Sequence, residues 1–291
     1  MKRKPIIGWL LLAPAVLWIV LIVAYPFASA IKLSFMKTAF GFGLMKPAGL
    51  ENYRQVLRDP AFWSAARTSL WWTSGNLVLQ LSLPMFVALL LRRRFAGRNV
   101  VRSLILTPWI IPAVVTAILW RWLLEPTVGI VNPILRYLHL TQEPVSFLGN
   151  PRLAMISIIL INTWRFAPLG TVLILAALQT IPEVLYEAAR VDGASPKQEF
   201  AQITFPLVGN VVWFVGLLGS IWTFNILDLL WLLTQGGPGT STQTMPVLIY
   251  QTAFKTYRMG TASAMAVVTA VFLIVLGFVY FRVMKPKDLG E

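Results

Sequence analysis

The sequence predicts an all-α polytopic membrane protein of six transmembrane helices, and three observations carry that reading. Hydrophobic residues make up 57% of the 291 residues and charged ones only 12%, with a mean hydropathy of +0.71, so most of the chain cannot face water. The apolar residues gather in six near-continuous runs of about 20, the length that crosses about 30 Å of hydrocarbon at about 1.5 Å per helical residue. A transmembrane β-barrel would instead alternate polar and apolar residues in segments of about ten.

The runs cover residues 6–30, 68–91, 103–124, 153–178, 207–233 and 260–281. No fixed-period repeat and no low-complexity linker divides them, so residues 1–291 read as a single transmembrane domain. Pro14, Pro26, Pro84, Pro108, Pro112 and Pro168 lie within or beside the runs. Kinked spans are tolerated where neighbouring helices re-satisfy the freed carbonyls, which favours a packed bundle over isolated anchors. The first run has a basic start and ends on Ala28, Ser29 and Ala30, as a secretory signal would. It is longer than a signal core and reads as an uncleaved span.

The formal charge of +14 could suggest a nucleic-acid partner, but its placement speaks for topology. Arg92, Arg93, Arg94, Arg98 and Arg102 crowd the link between the second and third runs, Lys2, Arg3 and Lys4 precede the first, and Arg282, Lys285 and Lys287 follow the last. An even number of spans puts these clusters on one side, and the positive-inside rule makes that side the cytoplasm, with both termini in it. The external loop 31–67 also carries Lys and Arg, but its length weakens its vote. Within it, "ENYRQVLRDPAFWSAARTSL" reads as an interfacial helix broken at Pro60, with Phe62 and Trp63 at the interface. Arg121 and Glu125, four residues apart beside Trp120 and Trp122, read as an ion pair and anchor at an outer helix end. "LLTQGGPGTSTQTMPVLIY" is a turn-bearing external loop.

With no cysteine and a single histidine, His139, in a loop, disulfides, thiolate metal sites and His-based catalysis are excluded or disfavoured. No metal site is expected. No Gly-x-x-x-x-Gly-Lys-Ser/Thr stretch occurs, so the chain carries no phosphate-cradling loop of its own.

One polar island interrupts the apolar pattern: "YEAARVDGASPKQEFAQITFP", residues 186–206. Thr180 and Glu183 have capping-box spacing with Pro182 between them, which predicts a short helix to about Asp192. Gly193 supplies a left-handed turn. Ser195 and Gln198 form a second capping box, with Pro196 at the first helical position. The island reads as helix, glycine turn, helix, serving either as a solvated connector or as a surface to be grasped. Ala188 and Ala189 keep that surface low, and Glu187 and Arg190 frame it with charge.

Glu187, Ala188, Ala189, Gly193, Ile203 and Pro206 keep the spacing of the cytoplasmic coupling motif of ABC transporter permeases. The chain resembles the binding-protein-dependent, carbohydrate-uptake branch of that family over nearly its whole length. "GLENYRQVLRDPAFW", "PWIIPAVVTAILWRWLLEPTVGIVN", "NTWRFAPLG" and "LLTQGGPGTSTQT" support it, and Phe205 departs from the usual Leu. The resemblance implies a type I ABC importer permease fold with a cytoplasmic coupling helix in the loop 180–206, multi-pass in a prokaryotic cell membrane. It implies a second homologous permease, two cytoplasmic ATPases that bind ATP and Mg, and an extracytoplasmic solute-binding protein. No cofactor is expected on this chain and no nucleic acid among its partners. Glu187, Ala188, Ala189, Arg190, Asp192 and Gly193 would form the ATPase-coupling element. A stand-alone channel or ion-coupled carrier is the alternative, and it needs no such motif.

For the solute, Asn162, Arg165 and Phe166 share a helix face by their spacing, as do Phe224, Asn225 and Asp228. Amides and carboxylates can bond hydroxyls while aromatic rings cover the apolar faces of a sugar. Arg165 and Asp228 could equally pair with each other as helix-helix glue. The resemblance makes Asn162, Phe224 and Asn225 positions matching a maltose-type solute site, and Asn76 and Gln80 are further cavity candidates.

Overall fold

A computed structural model of the chain describes residues 5–39, 44–93 and 95–283. Lys2, Arg3, Lys4, Arg94, Lys285 and Lys287 lie outside the described residues. Among the described residues the fold is all-α apart from one short antiparallel strand pair, β1 (Met36–Ala39) and β2 (Leu44–Pro47), with Lys37 opposite Lys46. Five helices among the described residues are long and apolar enough to cross a membrane: Leu11–Ser34, Pro60–Arg92, Pro151–Gln179, Pro196–Phe224 and Met259–Tyr280. A sixth crossing is possible only for the pair Arg98–Ile110 and Ala113–Leu123, which is bent by 96°.

That bend corrects the continuous third run, 103–124. Ile111 precedes a proline, and the proline ring pushes the preceding residue out of the helical region. Ile111 (ψ 127°) and Pro112 (ψ 147°) are both extended, and the second helix restarts at Ala113. The fifth run, 207–233, is likewise divided. Its helix begins earlier, at Pro196, and ends at Phe224, and a separate short helix covers Asp228–Thr234.

The chain forms two compact units, residues Met1–Ser64 with Leu248–Val275, and Ala65–Val247 with Leu276–Glu291. In the first, the amphipathic helix Glu51–Arg58 turns Asn52 inward, where its amide donates to the carbonyls of Ser34 (2.8 Å) and Met36 (2.9 Å). Gly260 lies where a Cβ would meet the Met36 carbonyl and the Asn52 amide. Tyr53 and Ser34 hydroxyls meet at 2.6 Å, and the Tyr53 ring stacks obliquely on Phe35. Pro60 does break the loop helix: Asp59 caps the next helix by accepting from the Ala61 amide at 2.8 Å.

The second unit has two apolar cores. One gathers Trp72, Ile158, Ile161, Leu229, Leu230 and Val247, and the Trp72 indole donates to the Thr223 carbonyl at 2.8 Å. The other gathers Ala88, Leu91, Ile174, Leu178, Tyr186 and Val208 at the helix ends nearest the charged island. Small residues let the helices approach closely: a Cβ on Gly170 would come within 3.1 Å of the Pro84 ring.

Candidate functional site

The charged island folds as helix Glu183–Val191, turn, helix Pro196–Glu199, and the second helix runs through a π-helical turn at Phe200–Thr204 into the long span ending at Phe224. Gly193 has φ +80°, its amide donates to the Arg190 carbonyl (3.1 Å), and the Ala194 amide donates to that of Ala189 (2.8 Å). These two bonds make a Schellman turn, which a left-handed glycine permits. The Ser195–Gln198 capping box is complete.

The first capping box does not form. Thr180 ends the preceding helix instead, donating its hydroxyl to the Ala177 carbonyl (2.8 Å), and the cap of the Glu183 helix is Pro182, with no side-chain bond. Glu183 is free to turn elsewhere, and it pairs with Arg92 at 2.9 Å. The Arg92 guanidinium also lies 4.1 Å from the centre of the Tyr186 ring. Tyr186 is the buried residue of this short helix, 3% exposed, and its hydroxyl is 2.9 Å from that of Thr204. Arg190 closes the turn on Glu199 (2.9 Å), and that carboxylate is the main reason the guanidinium pKa is raised. Sequence reading assigned Arg92 to the membrane's charge asymmetry and Glu183 to a capping box, and passed over Tyr186 and Thr204. Only a lone aromatic on the inner side of a polar helix could have signalled them.

The other side of the helix is open. Val184 (68%) and Val191 (87%) are exposed, with exposed Ala188 between them at helical spacing. Glu187, Arg190, Asp192 and Gly193 are exposed as well, and Ala189 is half-buried. One side is thus clamped to the spans and the other presents a small apolar stripe ringed by charge.

Deeper in the spans, Asn162 is fully buried and donates to the Asn76 amide oxygen at 2.7 Å. Gln80 donates to the same oxygen (3.3 Å), and the Thr223 hydroxyl lies 3.5 Å from the Gln80 side-chain amide oxygen Oε1. The Asn162 oxygen and the Thr163 hydroxyl are buried without a partner. Arg165 lies with its guanidinium 5.1 Å from the Phe166 ring centre, and its Nε is also buried and unpartnered. Among the described residues no ion pair joins Arg165 to Asp228.

Phe224, Asn225 and Asp228 do not share a helix face, because the helix stops between them. Phe224 is its buried last residue, Asn225 caps it with its amide on the Ile221 carbonyl (2.8 Å), and Asp228 opens the next helix by accepting from the Leu229 amide (2.8 Å). The Arg121–Glu125 pair is not made either. Glu125 accepts from the amides of Thr127 and Val128 (both 2.7 Å) and the Thr127 hydroxyl (2.8 Å), and these donors hold its pKa below the ordinary carboxylate value. No group of three or more metal-ligating side chains occurs among the described residues.

A family model for binding-protein-dependent transport system inner membrane components matches residues 80–286. The chain belongs to that family. It is therefore a multi-pass membrane permease subunit of an ABC importer, in which a partner ATPase hydrolyses ATP. This permease is 31% identical to the trehalose/maltose transport system permease protein MalF of Thermococcus litoralis, over 97% of its own length and 94% of the relative's. It is 33% identical to the sulfoquinovosyl glycerol transport system permease protein SmoG of Agrobacterium fabrum, over 96% and 90%. Its fold superposes with a TM-score of 0.82, at 23% identity, on a chain of a bacterial ABC transporter that imports the acidic polysaccharide alginate, covering 99% of this chain and 97% of that one.

Proposed function

We propose that the permease imports a sugar or sugar-like solute, with both termini cytoplasmic, as one transmembrane domain paired with a second homologous permease. Two cytoplasmic ATPases would each receive one coupling loop, and an extracytoplasmic binding protein would deliver the solute. Relatives named for trehalose/maltose and for sulfoquinovosyl glycerol support the substrate class. The side with the arginine-rich link supports the orientation.

The observation that carries the coupling role is the two-sidedness of the helix Glu183–Val191. Its Tyr186 side is fixed to the spans, and its Val184–Ala188–Val191 side has no cover. An element fixed on one side and gripped on the other transmits displacement: ATP-driven closure of the ATPases would move it, and the packed helices would carry the motion to the solute cavity. Glu187, Ala188, Ala189, Arg190, Asp192 and Gly193 form the gripped surface.

The solute site is assigned to Asn162, Arg165, Phe166, Phe224, Asn225 and Asp228. Buried polar groups within lipid are costly and are retained where they face a cavity or a partner. The unpartnered Asn162 oxygen and Arg165 Nε leave one acceptor and one donor for hydroxyls. Gly193→Pro, which cannot adopt φ +80°, and Glu187→Lys test the coupling reading. In the reconstituted transporter both variants keep the subunit in the membrane and lose ATP-driven uptake. Uptake at the normal rate by both removes the coupling role.

A further inference from the structure

At the ends of the spans, a groove of about 310 Å³ is lined by apolar Leu91, Ile105, Leu106 and Leu175 and by polar Arg102, Ser103, Thr171 and Gln179. Gln179 ends the helix that leads into the charged island, so the groove opens at the arginine-rich membrane surface. Arg102 donates through Nη2 to the Leu91 carbonyl at 3.3 Å, while its Nε is buried with no partner. One turn earlier on the same helix stands Arg98, half-buried, and Arg93 is exposed nearby in sequence. Among the described residues none of these three arginines is in an ion pair, since Glu183 is taken by Arg92.

The helix that carries Arg98 and Arg102, Arg98–Ile105, is amphipathic. Val100 (62%) and Leu104 (65%) are exposed on its other side, as expected of a segment lying in the membrane interface. The Arg102 guanidinium in an apolar slot between helices, with Arg98 one turn away on the same helix and outside the slot's lining, matches a phosphate ester carrying hydrocarbon: the fork of N–H donors suits phosphate oxygens, and the slot suits a chain of methylenes.

We propose that this groove binds an anionic diacyl phospholipid, with its phosphate on Arg98 and Arg102 and one acyl chain along Leu91, Ile105 and Leu175. The site depends only on the membrane placement of the chain, not on which solute is carried.

Native mass spectrometry of the intact transporter complex, titrated with phosphatidylglycerol or phosphatidylcholine, tests it. Phosphatidylglycerol is retained in preference to phosphatidylcholine, and Arg98→Gln and Arg102→Gln each weaken retention about five-fold, as expected for one basic residue at an anionic surface. Arg102→Lys keeps most of the affinity, Leu175→Trp fills the slot and loses the lipid with no charge change, and Arg136→Gln changes nothing. Equal retention by the Arg98→Gln/Arg102→Gln double variant overturns the site, as does equal binding of both lipids. Displacement of the lipid by millimolar inorganic phosphate reassigns the arginines to a free anion. Efficient capture of the second permease by a photo-cross-linking side chain placed at position 102 shows that protein, not lipid, fills the groove.

Discussion

Tyr186 is the point at which the helix Glu183–Val191 is held, and on the coupling role proposed for that helix, truncating it should disconnect ATP hydrolysis from transport. Three contacts hold this ring. Its body is buried in the core with Ala88, Leu91, Ile174, Leu178 and Val208. Removing a buried aromatic to Ala costs about 3–5 kcal/mol. The hydroxyl bond to Thr204 at 2.9 Å contributes about 1 kcal/mol. The Arg92 guanidinium over the ring at 4.1 Å adds about 0.5–2 kcal/mol as a cation–π contact. The Arg92–Glu183 bond, with Glu183 61% exposed, adds no more than about 1 kcal/mol because solvent screens it. These magnitudes order a series: Tyr186→Phe mildest, Arg92→Ala intermediate, Tyr186→Ala severe. The assay is solute taken up per ATP hydrolysed by the complete transporter in proteoliposomes. Tyr186→Phe should leave that ratio close to normal, Arg92→Ala lower it several-fold, and Tyr186→Ala abolish uptake while ATP hydrolysis persists. A correctly assembled Tyr186→Ala complex with a normal ratio refutes the clamp.

Further outcomes follow from single contacts. Ser195→Ala removes the capping box and should cost the second short helix about 1 kcal/mol, read as faster hydrogen exchange at the Gln198 and Glu199 amides. Asn76→Leu removes the acceptor shared by Asn162 and Gln80; thermal unfolding of the purified complex should register a loss of about 0.6–1.7 kcal/mol per broken bond, together with a rise in the solute concentration needed for half-maximal uptake. Glu125 is held ionised by the donors on Val128 and Thr127. A carboxyl with a depressed folded pKa stabilises the fold above its unfolded value, near 4.5, and loses that contribution as pH falls through the lower folded value. Proteolysis of the 125–129 turn should therefore accelerate below about pH 4.5, and Glu125→Gln should remove that pH dependence.

What the sequence could disclose divides along the range of the interactions involved. Local chemistry read correctly: Gly193 needed φ > 0 and has it, Ser195 and Gln198 cap reciprocally, and Pro60 begins a helix. Misreadings arose where a local pattern had a competitor elsewhere in the chain. Glu183 has capping-box spacing to Thr180, but an arginine 91 residues earlier takes it, and Thr180 falls back on its own helix. Glu125 has ion-pair spacing to Arg121, but three donors in the following turn outbid one exposed guanidinium. Hydropathy counted the runs without registering where a helix must stop. Ile111 stops because a proline follows, and Asn225 because its side chain turns back on the Ile221 carbonyl.

Those stops bear on how motion would reach the solute. Between the helix Glu183–Val191 and Phe224, three spans are joined at two levels. At the charged end, the shared core and the Arg92–Tyr186–Thr204 contacts tie Pro60–Arg92 and Pro196–Phe224 to the short helix. In the middle, Asn162, Asn76, Gln80 and Thr223 link the same two spans with Pro151–Gln179. Helices joined at two separated levels resist shearing past one another, so a push on the short helix is delivered along the whole length of the group. The group ends where the backbone ladder ends, at Asn225. Beyond it, Asp228–Thr234 packs on Ala113–Leu123, the far limb of the bent pair, and also on Pro151–Gln179, with Leu229 and Leu230 in the core of Trp72, Ile158 and Ile161. The residues proposed for the solute thus sit on both sides of a break in the helix, Phe224 before it and Asp228 on the short helix beyond. Relative displacement across residues 225–227 would open or close the space between them. Ile226→Pro, which fixes φ and removes the Ile226 amide's bond to the Thr223 carbonyl (3.2 Å), would be expected to lower uptake without lowering ATP hydrolysis, whereas a change confined to solute affinity would place the moving joint elsewhere.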